Sequence, residues 1–333
     1  MQTSPHQAYS RLLLILTALT ILSGLAFAAD PGTPYPADVS ISDQKAGSVL
    51  IFNYYSSSAS NPAQENTRIN ITNTNENLNV AVHLFFIDGD SCSPADYFIC
   101  LTPNQTVAVS AAEFDPGTSG YLIAIAVNPQ TGCPENFNYL IGDEYIKLTA
   151  GFQANLGAEA VSAINLTTLA CSTSPTATIQ FNGAMYGQLP MLLAVDNVSS
   201  RTEGNRTLLI INSIRGNLSE TISPIGLIFG IMYSQLEAPF SFTFSGLTCQ
   251  VKKELTDQFP RTTPRFSNVI PTGSVGWMKF YTTGGNPITG AALVFNPNAN
   301  SVANAYNQGH NLHKLRTNGT GSLVVPVFPA NCR

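Results

Sequence analysis

The chain alternates between short apolar runs and clusters of Gly, Pro, Asn, Ser and Thr, and no long stretch keeps helical spacing. Residues 77–87, Asn-Leu-Asn-Val-Ala-Val-His-Leu-Phe-Phe-Ile, alternate in part, as a strand with one buried face does. Residues 240–244 read Phe-Ser-Phe-Thr-Phe, and successive strand side chains point to opposite faces, so one face is aromatic. Residues 122–127 and 225–232 are continuous apolar runs that predict buried strands; the second is too short to span a membrane. Pro103-Asn104 joins residues 97–101 to 106–109 as a hairpin. Residues 323–328 form a last strand whose Pro326 suggests an edge. The one helix the pattern predicts is the Ala-rich stretch 156–164.

Several segments recur. Pro116-Gly117-Thr118-Ser119-Gly120-Tyr121, feeding residues 122–127, returns loosely as Pro271-Thr272-Gly273-Ser274-Val275-Gly276-Trp277, feeding residues 278–281. Upstream, residues 66–73 and 205–212 are strand-like and bracketed by Asn, and each follows an apolar run and a Ser-rich connection. Two copies of a unit predict two similar domains. Short strands, frequent turns and little helix predict an all-β chain of two tandem antiparallel Ig-like β-sandwich domains, residues 47–171 and 176–333. Ahead of them, Arg11, the apolar run 12–22 and Ala26-Phe27-Ala28 mark residues 1–28 as a cleaved signal peptide. Residues 29–46, rich in Pro, Asp, Ser and Ala, read as an extended linker. No later run is long enough to cross a membrane, so no transmembrane span is expected after cleavage.

Charge narrows the function. Charged residues make up 11% of the chain against the roughly 25% usual for globular proteins, and net charge is −5. Without a basic run there is no footprint for a nucleic-acid backbone. All six cysteines, Cys92, Cys100, Cys133, Cys171, Cys249 and Cys332, follow the cleavage site, and an even number in an exported chain predicts disulfides. Pairing within domains gives Cys92–Cys100, Cys133–Cys171 and Cys249–Cys332. The wide spacing argues against a cysteine metal site.

Catalytic signatures are few. His310 and His313 are close enough to share a metal ion, although their neighbours Asn307-Gln308-Gly309 read as loop and no carboxylate lies near them in sequence. Asp88-Gly89-Asp90 resembles part of a calcium loop, but Ile99 stands where an EF-hand needs Glu, leaving a simpler calcium site on Asp88 and Asp90. Asp143-Glu144 reads as a solvated turn, because adjacent strand residues cannot flank one glycosidic bond. Nucleophile-elbow, zincin, P-loop and dinucleotide motifs are missing. Tyr54, Tyr55, Tyr97 and Tyr145 are candidates for stacking on sugar rings, whereas Tyr121 and Trp277, at equivalent repeat positions, look more like core.

The strings Thr67-Arg68-Ile69-Asn70-Ile71-Thr72-Asn73, Val82-His83-Leu84-Phe85-Phe86-Ile87-Asp88-Gly89, Leu140-Ile141-Gly142-Asp143-Glu144-Tyr145 and Gly309-His310-Asn311-Leu312-His313 resemble a group of uncharacterised secreted bacterial proteins. That resemblance implies tandem Ig-like β-sandwich repeats and an extracellular or cell-surface location, with the periplasm as an alternative. It carries over no functional residue. The leading expectation is an exported, non-enzymatic structural or adhesive protein, with a polysaccharide or a surface protein as partner. The alternatives are a carbohydrate-binding module using the tyrosines, and a metal-binding protein or metal-dependent enzyme using the histidine pair.

Overall fold

The computed structural model describes residues 40–166, 171, 174–300, 305–330 and 332. The expected signal peptide and residues 29–39 of the expected linker lie outside them. In chain order the strands are β1 Val49–Ser56, β2 Asn66–Asn73, β3 Val80–Asp88, β4 Pro94–Leu101, β5 Thr106–Ser110, β6 Ser119–Val127, β7 Leu140–Lys147, β8 Gln153–Gly157 and β9 Glu159–Val161. They continue as β10 Thr176–Phe181, β11 Leu192–Ser199, β12 Arg206–Ser213, β13 Gly216–Asn217, β14 Thr221–Ile222, β15 Gly226–Tyr233, β16 Pro239–Gly246, β17 Gln250–Glu254, β18 Val275–Thr282, β19 Ile288–Phe295, β20 Gln308–Asn311, β21 His313–Arg316 and β22 Gly321–Pro326. Among the described residues, helix is limited to single turns. The helix expected over 156–164 is instead β8 and β9: Ala158 and Ala160 are buried beside β1 and β7 rather than forming one face of a helix.

These strands form five small sheets: sheet I, β4-β3-β6-β1-β9; sheet II, β5-β2-β7-β8; sheet III, β10-β22-β13-β14; sheet IV, β17-β12-β19-β20; and sheet V, β16-β15-β18-β11-β21. They are arranged as a five-bladed β-propeller of small sheets, which corrects the expectation of two tandem Ig-like sandwiches. What overturns the sandwich reading is that apolar cores run from sheet to sheet along the whole series. One face of sheet I, with Leu50, Phe52, Leu84 and Leu122, packs on Ile69 and Ile71 of sheet II. Its other face, with Ile51, Phe85, Tyr121 and Ile123, packs on Ile179, Phe181, Leu323 and Val325 of sheet III. Ile146 and Leu156 of sheet II meet Leu208, Ile210 and Leu293 of sheet IV. Sheet IV in turn meets Ile228, Met278 and Phe280 of sheet V. Strands buried on both faces read as continuous apolar runs, which is why the halves are so hydrophobic in sequence.

The repeat is visible in the pairing. Sheets I and V have the same strand order, as do sheets II and IV. The Phe52–Leu122 pair corresponds to Val195–Met278, and Ile51–Glu159 to Ala194–His313. By this register Asn53 corresponds to Asp196, Tyr121 to Trp277, Ile123 to Lys279 and Leu156 to His310.

The disulfides cross the repeat. Cys92 bonds Cys249, and Cys100 bonds Cys332. This corrects the pairings Cys92–Cys100 and Cys249–Cys332: Cys100 is on β4 with its partner near the C-terminus, and the β3–β4 turn that carries Cys92 meets Cys249 across the fold. Cys133 and Cys171 carry free thiols rather than the expected bridge. They interact, and burial together with Cys133 pushes the Cys171 thiol up to about 12.

Candidate metal centre

The side chains with chemical potential gather where β11, β20 and β21 come together. In β11 the pairing with β18 shifts between Val195 and Val198, so Asp196 and Asn197 stand opposite Trp277 alone. Asn197 takes a left-handed φ of 46°, which Asn tolerates better than most residues. Such a bulge re-aims a side chain, and here it leaves the Asp196 carboxylate outside the sheet at the β21 side. β21 runs beside β11 with His313 opposite Ala194. β20 belongs to the next sheet and brings His310 alongside. On its other side β20 lies close to β8, and Gly309 permits that: a Cβ there would meet the Ala154 Cβ at 2.4 Å.

Among the described residues, Asp196, His310 and His313 are the single group of three metal-ligating side chains with donor atoms all within 4.8 Å of one another. His310 Nε2 lies 3.4 Å from Asp196 Oδ1, and His313 Nε2 lies 3.3 Å from Asp196 Oδ2. A tetrahedral ion with bonds near 2.0–2.1 Å spaces its ligand atoms about 3.4 Å apart, close to the distance from each imidazole to the Asp196 oxygen it faces, which is Oδ1 for His310 and Oδ2 for His313. The His310 Nδ1 lies 3.0 Å from the Asn311 carbonyl. In the tautomer that carries its proton on Nδ1, that carbonyl accepts the hydrogen bond and Nε2 is the nitrogen able to ligate, the arrangement typical of a metal-bound histidine. His310 is half-buried, while His313 and Asp196 are exposed.

The histidines also line a cleft of about 850 Å³ bounded by residues 40–45, 155–157 and 309–314. Beneath it lies a polar network. The Asn311 amide donates to Asp43 at 3.0 Å and to the Gly157 carbonyl at 2.7 Å, and its Oδ1 accepts from Asn53 at 2.9 Å. The Asn212 amide donates to the Asn53 carbonyl at 2.8 Å, and Gln250 donates to Asn212 at 2.9 Å. Lys314 reaches down to Glu159 at 2.7 Å, and Glu159 is only 1% exposed. Burial pushes the Glu159 carboxyl up against the opposing pull of Lys314. Burial also acts on Asp43, but the Asn311 hydrogen bond and Lys314 outweigh it and hold that carboxyl low. Glu144 is wholly buried and accepts from the Tyr54 amide at 3.3 Å, and burial holds it well above the usual carboxylate range. The solvated turn expected at Asp143-Glu144 is therefore corrected: both residues belong to β7, between β2 and β8.

Other sequence candidates separate. Tyr54 and Tyr55 are buried, so neither can stack on a ligand: Tyr54 packs between sheets II and IV, and Tyr55 packs edge-on against Phe86. Tyr97 and Tyr145 are exposed but lie on different sheets. Asp88 Oδ1 accepts the backbone amides of Asp90 and Ser91 at 2.8 Å each, so this carboxylate caps its own turn, and among the described residues Asp90 joins no metal-ligating group. The sequence carried the two histidines. It gave no pointer to Asp196, more than a hundred positions upstream, except Asp-Asn after an apolar run, where a bulge is a natural reading.

The chain matches no protein-family model, no curated protein and no solved structure. The expected resemblance to secreted bacterial proteins finds no counterpart there, and the site's geometry alone carries the functional argument.

Proposed function

We propose that this chain is an exported metal-binding protein that takes one divalent transition-metal ion on Asp196, His310 and His313. The observation that carries the reading is the convergence of three donor atoms from three strands within 4.8 Å. Two imidazoles and one carboxylate suit zinc and its first-row neighbours better than calcium, which prefers oxygen donors alone. Three protein ligands leave a position open to water or to a donor atom of a bound molecule. Export rests on the signal-like residues 1–28 and on two disulfides that hold distant parts of the chain together, a pattern of oxidising compartments. Among the described residues no helix is long and apolar enough to cross a membrane.

A purely structural or adhesive role would need no such convergence, and for that reason the metal reading is preferred. Isothermal titration of the mature chain with zinc alone tests it. One zinc per chain is expected, with affinity falling at least about tenfold in His313→Ala and weakening as pH falls, because protons compete for the imidazoles. Equal zinc binding by His310→Ala, His313→Ala and wild type would sink the proposal.

A further inference from the structure

The outer face of sheet V surrounds this centre, and its rows can be read from the register. One row carries Tyr233 and Trp277, with Asp196 and Asn197 beyond. The next carries Ile231, Lys279, Ala194 and His313. The third carries Phe229, Tyr281, Leu192 and Arg316. The alternate residues Ile228, Met232, Met278 and Phe280 are buried against sheet IV, so these rows face outward. Tyr233 and Trp277 stack with centroids 4.4 Å apart and 8° between planes, and Lys279 Nζ lies 5.4 Å and 5.8 Å from their centroids. Tyr281 is exposed beside Phe229.

We infer that this face binds an acidic polysaccharide, with uronate carboxylates on the metal ion and on Lys279 and Arg316, and sugar rings against Trp277 and Tyr281. The inference rests on the metal reading above. Charge complementarity carries it: on a chain of net charge −5, these three rows hold Lys279 and Arg316 against one acid, Asp196, which a bound divalent ion more than neutralises. The open coordination position is a natural seat for a carboxylate oxygen. Aromatic faces set between cations suit the C–H side of a pyranose ring that carries a negative group. Rows about 4.8 Å apart across strands and about 6.7 Å apart along them spread these contacts over more than one sugar unit.

The test uses the mature chain loaded with zinc and then freed of excess metal, titrated with short oligomers of galacturonate, of mannuronate and guluronate, and of hyaluronan. Cello- and chito-oligomers serve as neutral controls. Zinc content is read on the same samples. Binding of at least one acidic oligomer is expected, at least tenfold tighter than any neutral one. It should weaken about tenfold in Tyr281→Ala and in Lys279→Gln, and at least tenfold after metal removal. If zinc binds but no acidic oligomer does, the inference falls while the metal reading stands, and the face passes to a protein partner. Equal binding of neutral oligomers, or binding unchanged in both variants, also overturns it. If zinc itself fails to bind, the underlying metal reading has failed.

Discussion

Sheets I and V share one strand order, yet the same backbone positions do opposite work in them. On sheet I, the positions that correspond to Trp277 and Lys279 are Tyr121 and Ile123, both fully buried under sheet III. The corresponding face of sheet V has no such cover among the described residues, and there Lys279 and Trp277 are half-exposed. At the bulge, Asn53, Leu156 and Glu159 stand where the second half has Asp196, His310 and His313. The chain's own Lys314 ammonium sits against Glu159, at 2.7 Å. One copy of the site is thus closed around an internal cation, and the other is open with donor atoms converging on a space of ion size. A duplicated framework becomes core when another sheet lands on it and can serve as a binding surface when none does.

The largest effect that could break this comparison lies at the closed site. Lys314→Met leaves the Glu159 carboxyl buried without its partner and should cost about 3–5 kcal/mol in chemical denaturation near pH 8. Burial raises the Glu159 pKa, so the cost should shrink as pH falls and Glu159 takes a proton instead. A cost independent of pH would mean that the pair does not act as an internal ion pair. Next come the equivalent positions Ile123 and Lys279. Ile123→Ala opens a cavity between sheets I and III and should cost about 2–5 kcal/mol, whereas Lys279→Ala should stay within about 0.5 kcal/mol. Similar losses at both would show that the sheet V face is covered in solution.

The smaller predictions concern protons. The folded-state pKa of Glu144 is raised above its ordinary 4.5 by burial, with Asp143 and Glu159 adding to it. Its contribution to stability is therefore full below 4.5 and lost as pH rises through the folded value. Glu144→Gln should flatten that slope and stabilise the protein by about 1–3 kcal/mol at pH 7, read by denaturation at several pH values. His83, whose register counterpart is the outward Phe229, behaves in the opposite sense. Burial lowers its pKa below 6.5 more than its contact with Asp96, at 2.9 Å, can raise it. Asp96 is 41% exposed, so solvent screens that pairing, and we read His83 as neutral. Its stabilisation is present above 6.5 and fades as pH falls through the depressed value. His83→Phe should reduce acid sensitivity by about 1 kcal/mol or less.

The sequence by itself determined strand content, most strand positions and the internal repeat, because period-two patterning, apolar runs and Gly or Pro turns are local. It also carried His310 and His313 as a pair. What the tertiary structure alone decided depends on which faces meet. Ala158 and Ala160 look helical in sequence, but pairing with β1 and β7 makes them strand. Glu144 looks like a turn acid, but layers on both sides bury it. Tyr121 and Trp277 are equivalent in sequence, and only the landing of sheet III made one core and left the other half-exposed. Asp196 joined the histidines because a bulge turned it outward and β21 paired beside it. The disulfides likewise followed the contacts between halves, which carry no trace in cysteine spacing. Pairing partners and covered faces arise from long-range contacts, which local sequence patterning does not encode.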